Sequence, residues 1–79
     1  EIACITGPIA TPTAQSRLAG YRQALQQHQI AFDDARVAYG DSSVAAGYRG
    51  CRDLLAGAAA FSALFASNDD MAIGAMKAL

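Results

Sequence analysis

The 79 residues predict an α/β fold of three layers, with helices on both faces of a parallel sheet. Two observations carry that prediction. Three short apolar runs, Ile2 to Thr6, Ala35 to Tyr39 and Phe61 to Ala66, have the length of buried strands. Each is followed by polar or Gly-containing residues and then by a stretch of helical period, the alternation expected of βαβ units.

The first helix is expected from about Pro12 to His28. Thr11 is its N-cap, and Pro12 takes the first helical position, where a missing N–H costs nothing. Ala14, Leu18, Tyr21 and Leu25 recur at helical spacing and form one stripe. The second helix, about Ser43 to Ala56, repeats that spacing with Val44, Tyr48, Cys51 and Leu55; Ser42 or Ser43 caps it and Gly57 ends it. A third helix opens near Asp69 or Asp70, whose carboxylates suit the positive end of a helix dipole.

Crossovers between parallel strands are right-handed in nearly all folds, which leaves few arrangements. With strand one between strands two and three, helix one covers one face and helix two the other. Ligands of such sheets bind beyond the carboxyl ends of the strands where the order reverses, here between strands one and three. The segments that emerge there are Gly7 to Thr13 and Ser67 to Asp70.

Composition narrows the function. Hydrophobic residues make up 53% of the chain and charged ones 16%, against roughly 25% charged in an average soluble domain. Much of the surface is therefore expected to be covered by a partner subdomain or subunit, since a chain this small buries only about 60% of its unfolded surface. The apolar opening and the uncapped helical pattern at the end read as a piece of a larger protein. A net charge of −1 with scattered Lys and Arg gives no footprint for nucleic acid, and no apolar stretch reaches the roughly 20 residues of a membrane span. Cys4 and Cys51 lack metal-ligand or redox spacing and read as two buried thiols.

The two rim segments hold the informative polar residues: Arg17 in the second turn of the first helix, and Asn68, Asp69 and Asp70 after the third strand. A guanidinium with five donors, a carboxylate with only acceptors and an amide that does both suit a polyhydroxylated ligand. Asp69 and Asp70 serve equally well as helix caps, and Arg17 as a solvated helix residue; spacing alone leaves both readings open. Gly40-Asp41-Ser42 ends strand two on the same rim and reads as a turn with an N-cap that is also within reach of a ligand. His28 reads as a solvated residue at a helix C-terminus. There is no phosphate loop, GxSxG elbow or metal-ligand cluster, so no catalytic residue, cofactor or metal is assigned and binding is favoured over turnover.

Ser16-Arg17-Leu18-Ala19-Gly20-Tyr21 resembles the R-L-x-G-aromatic signature of the lactose/galactose-repressor family, and Asn68-Asp69-Asp70-Met71-Ala72-Ile73-Gly74-Ala75-Met76 resembles that family's N-D-x-M-A-x-G-A-M segment. The opening Ile2 to Pro8 is similar to the strand that begins the family's second subdomain, and the likeness extends over essentially the whole chain. The resemblance implies a fold like that of type I periplasmic sugar-binding proteins, of which this chain is a fragment of the C-terminal subdomain, without the DNA-binding headpiece or the N-terminal subdomain. It implies a cytoplasmic, sugar-responsive repressor, homodimeric, that binds operator DNA through a domain outside this chain. Arg17, Asn68 and Asp69 then contact the sugar effector, with Thr13 and Gln15 at loop positions that sometimes do. Where several members place an aromatic ring after Gly-Asp, this chain has Ser42, so that wall is missing or supplied elsewhere. A periplasmic sugar-binding protein of a transport system is the alternative on the same fold. A small α/β enzyme or nucleotide-binding module would need a base or phosphate loop from elsewhere.

Overall fold

The computed structural model describes residues 1 to 79. Its centre is strand β1 (Ile2–Thr6), whose Ala3, Cys4, Ile5 and Thr6 are all fully buried. Burial on both faces explains why this strand is a continuous small and apolar run rather than an alternating one. It pairs in parallel with β2 (Val37–Tyr39) on one side, Cys4 opposite Val37, and with β3 (Ala63–Ala66) on the other, Ile2 opposite Ala63. The order β2-β1-β3 is the one expected from the sequence.

Helix α1 (Pro12–Gln27) covers one face. Its Tyr21 and Leu25 meet Cys4 and Val37, with Ile2, Leu18, Ile30 and Phe32 at the margin. Thr11 caps it as expected, its hydroxyl accepting from the Ala14 N–H at 3.3 Å. Helices α2 (Val44–Ala56) and α3 (Asp69–Ala78) cover the other face, where Ala3 and Ile5 meet Cys51, Leu54, Met71 and Ala75. Successive side chains of a strand point to opposite faces, so Cys4 belongs to one layer and its neighbours Ala3 and Ile5 to the other.

Three expectations need correction. The second strand begins at Val37 and not at Ala35, because Asp33 accepts from the Ala35 N–H at 3.0 Å and winds Asp34–Arg36 into a 3-10 turn. Arg36 is fixed in that turn by the Ala60 carbonyl at 2.8 Å and by Glu1 at 3.4 Å. The third strand begins at Ala63 and not at Phe61; Phe61 packs against the α2/α3 core instead. The stripe assigned to the second helix is also rotated. Of Val44, Tyr48, Cys51 and Leu55 only Cys51 is buried, and Leu55 is 51% exposed, whereas Ala46, Gly47, Gly50 and Leu54 face inward.

Glycine causes the rotation. A Cβ on Gly47 would lie 2.1 Å from the Met71 carbonyl oxygen, and one on Gly74 would lie 1.9 Å from that of Val44. The backbones of α2 and α3 are thus in direct contact at two places, and any side chain there would force them apart. That contact turns the small face of α2 toward α3 and leaves Tyr48 and Leu55 outward. Several other large apolar groups also stay exposed, including Phe65, Ile73 and Met76, in keeping with a surface that expects to be covered.

Gly74→Ala should therefore lower stability by at least the roughly 1–3 kcal/mol typical of overpacking. Gly20→Ala, in the exposed middle of α1 where an added Cβ meets nothing within 4 Å, should raise it by about 0.5–1 kcal/mol; urea denaturation measures both. The cysteines give a second expectation. Burial pushes the Cys4 thiol up from 9.0 to about 11 and raises Cys51 as well. The raised Cys4 value favours the native state fully below pH 9.0, and that contribution is lost as pH rises toward about 11, because the unfolded thiol ionises first. Urea midpoints followed against pH should fall across this window, and Cys4→Ala should flatten the fall. A residual slope should remain from Cys51 and Tyr21, both of which burial also raises.

Candidate functional site

All three strands run the same way, so the loops at their carboxyl ends meet on one rim: Gly7 to Thr11 after β1, Gly40 to Ser43 after β2, and Ser67-Asn68 after β3. Ser67 and Asn68 bind the other two loops and the first helix to themselves. The Ser67 N–H continues the ladder to the Ile5 carbonyl at 3.0 Å, and its hydroxyl accepts from the Gly7 N–H at 3.0 Å. The Ser67 carbonyl accepts from the Arg17 guanidinium at 2.5 Å. Asn68 caps α3, its Oδ1 accepting from the Met71 N–H at 2.8 Å, while its Nδ2 donates to the Ser42 carbonyl at 3.1 Å.

The structure thus brings Arg17 to the β3–α3 loop, as the sequence led us to expect. It is held by a neutral carbonyl and enters no ion pair, because the salt bridges of the chain are those of Arg36. The remaining donors of its planar fork are open to a ligand. Asp69 and Asp70 lie exposed in the first turn of α3, where the helix dipole favours their charge. The cap itself is Asn68.

Thr13 is exposed in the first turn of α1. Gln15 is turned back on its own loop, its Nε2 donating to the Ile9 carbonyl at 2.9 Å. Ser42 is half-buried with φ of 79°, a left-handed conformation for a residue that is not glycine. Ser67 was not singled out by sequence reasoning, since a lone serine before an N-cap asparagine carries no spacing signal. Its role appears only when the strand order is known. A groove of about 890 Å³ along the free edge of β2 and the flank of α2 reaches this rim only at Gly40 and Asp41.

The charges at the rim bear on what kind of ligand it suits. Three carboxylates, Asp41, Asp69 and Asp70, stand at the rim, where Arg17 brings one guanidinium and Arg49 lies near enough to Asp41 to favour its charge. The N-termini of α1, α2 and α3 are each closed by a side-chain cap, Thr11, Ser43 and Asn68. An anion would meet more like charge than opposite charge, whereas a neutral polyhydroxyl compound finds both donors and acceptors. Asp41 is held by the Ser43 hydroxyl and the Ser43 N–H, which keep its carboxyl below the ordinary 3.8. The lowered value favours the native state above pH 3.8, and that contribution is lost as pH falls through the depressed value. An NMR titration should find the Asp41 carboxyl titrating below an unfolded control, and Ser43→Ala should bring it back up.

Residues 1–79 match the family model of the periplasmic binding protein-like domain over their full length. The transcriptional regulator AscG of Escherichia coli K12 is 56% identical over 79 residues, 100% of this chain and 24% of that protein. The ribose operon repressor of Escherichia coli K12 is 38% identical over 79 residues, again 100% of this chain and 24% of that protein. Two solved structures are similar. The CelR–cellobiose complex has a TM-score of 0.93 at 36% identity, covering 98% of this chain and 24% of that one. The Lac repressor dimer bound to operator and an anti-inducer has a TM-score of 0.89 at 33% identity, covering 99% and 27%. The chain spans about a quarter of the length of the curated relatives it matches. With the full-length family match, the R-L-A-G-Y and N-D-D-M-A-I-G-A-M segments and the β2-β1-β3 sheet in agreement, the chain belongs to the periplasmic binding protein-like domain family, in the form carried by repressors of the lactose/galactose type.

Proposed function

We infer that this chain is part of the effector-binding domain of a sugar-responsive transcription repressor, a binding and signalling part and not an enzyme. The observation that carries the reading is the tether of Arg17 to the Ser67 carbonyl, which sets an uncompensated guanidinium beside Asn68 and Asp69 on one rim. In this reading the chain is most of the C-terminal subdomain, and the sugar sits between its rim and a facing N-terminal subdomain. Arg17 donates to ring or hydroxyl oxygens, Asp69 accepts from hydroxyls, Asn68 and Ser42 lie at the floor, and Thr13 and Gln15 stand at the edge. The likeness to a cellobiose complex and to a ribose operon repressor supports a sugar over other neutral ligands.

A separate helix-turn-helix headpiece contacts operator DNA, the protein is a homodimer, and it works in the cytoplasm. Support for these comes from relatives described as transcription regulators and from the operator-bound Lac repressor dimer. No helix is long and apolar enough to cross a membrane. Two free thiols fit a reducing compartment and weigh against a periplasmic transport protein. Coupling follows from linkage: a sugar that binds one relative orientation of the subdomains better shifts operator affinity by the same factor, typically about 5–150-fold.

A thermal-shift screen of the intact protein against mono- and disaccharides should find a sugar that raises the melting temperature, because a ligand bound only by the native state stabilises it. Arg17→Ala should weaken that sugar by roughly 1.5–3 kcal/mol, the range for hydrogen bonds to a charged group, while the protein stays folded. Calorimetry showing unchanged affinity would remove Arg17 from the site.

A further inference from the structure

We propose that Ile9 is a closure contact, the apolar tip of the β1–α1 turn, which lodges against the facing N-terminal subdomain when the two sides of the cleft come together over a sugar. The inference rests on the functional reading above and adds to it a surface that touches protein and not ligand. In the three rim loops, Gly7 to Thr11, Gly40 to Ser43 and Ser67-Asn68, Ile9 is the one large aliphatic side chain. It is 42% exposed and belongs to neither apolar core. An isoleucine left at the water among small polar neighbours is a place for another surface to settle, and the chain spans only about a quarter of the length of its relatives.

The turn that carries Ile9 is pinned along its length. The Gly7 N–H is held by the Ser67 hydroxyl at 3.0 Å. The Pro8 carbonyl accepts from the Thr11 N–H at 2.9 Å and from the Thr11 hydroxyl at 2.7 Å, and the Ile9 carbonyl accepts from Gln15 Nε2 at 2.9 Å. These bonds fix the backbone of the tip to the first turns of α1, so a contact made there has little ordering left to cost. Gln15 and Arg17 also say which side of α1 the tip occupies. Two positions along a helix of 3.6 residues per turn are about 200° apart, so the side chain that holds Ile9 and the one that reaches the Ser67 carbonyl leave α1 on opposite flanks. Ile9 therefore stands across the start of the helix from Arg17, outside the group formed by Arg17, Asn68 and Asp69. A sugar held by that group leaves Ile9 to the wall that closes over it.

The test uses the intact protein with labelled isoleucine methyl groups, cellobiose and ribose as the added sugars, and Ile9→Val to assign the Ile9 signal. With a sugar that calorimetry finds to bind, the Ile9 methyl should become shielded from a soluble paramagnetic probe and show nuclear Overhauser contacts to side chains outside residues 1–79. Ile9→Ala should weaken that sugar roughly three- to tenfold, the scale of three carbons half withdrawn from water, with the melting temperature of the sugar-free protein unchanged. A methyl that stays open to the probe, contacts that run to the sugar itself, or an unchanged affinity in Ile9→Ala would each overturn the proposal. If neither sugar binds, the calorimetry counts against these sugars as effectors, and the Ile9 methyl of the free protein decides the contact alone: shielded by groups outside residues 1–79 it stands, and open to the probe it falls.

Discussion

The burial of β1 on both faces is the constraint on which the rest depends. A strand with every residue from Ala3 to Thr6 shut away from water has to be covered by helices above and below and paired on both edges. Parallel pairing on both edges then puts the carboxyl ends of β1, β2 and β3 together, and the three following loops have nowhere else to go. The shared rim of loops is thus a consequence of how the central strand is buried.

What the rim adds is cross-bonding. Its loops meet as strangers in sequence, with Gly7, Arg17 and Ser42 lying 60, 50 and 26 positions from their partners at Ser67 and Asn68. Each contact uses a backbone group on one side and a side chain on the other. Ser67 and Asn68 do this with small side chains that leave the rim unfilled, whereas Arg17 reaches in from the helix with a long one. The close α2/α3 contact at Gly47 and Gly74 makes a firm base for two of the loops, since the helices they introduce are locked backbone to backbone.

Much of this was legible in the sequence. Apolar run length and helical period located all three strands and all three helices, Thr11 and Pro12 marked the start of α1, and handedness limited the strand order. Arg17 and the Asn68-Asp69 pair were placed on one rim by topology together with the resemblance. The parts that were not legible share a cause: they depend on volume that is missing, or on bonds between distant residues. Periodicity reads apolar side chains and is blind to glycine, so the inward face of α2 was set on Val44 and Tyr48 when Gly47 and Gly50 decide it. The loss of Ala35 from β2 follows from a local Asp33 cap competing with the ladder. Ser67 has no pattern at all; only the register of β3 beside β1 shows that its hydroxyl meets Gly7.

The same geometry bears on how a signal would leave the site. Arg17, Ser42 and Asn68 are bonded into one unit with α1, α2 and α3, so in the proposed reading a sugar at the rim gains little by moving one loop against another. In the proposed reading, the remaining freedom is that of this unit against a facing subdomain. An effector can shift an equilibrium only by its differential affinity for the two states, and with one side of the site held fixed, that difference has to arise from the relative orientation of the two sides. Large apolar groups are also left outward on α3, Ile73 at 47% and Met76 at 73% exposed. The helix that bears them is capped by Asn68, so the backbone of α3 joins them directly to the rim.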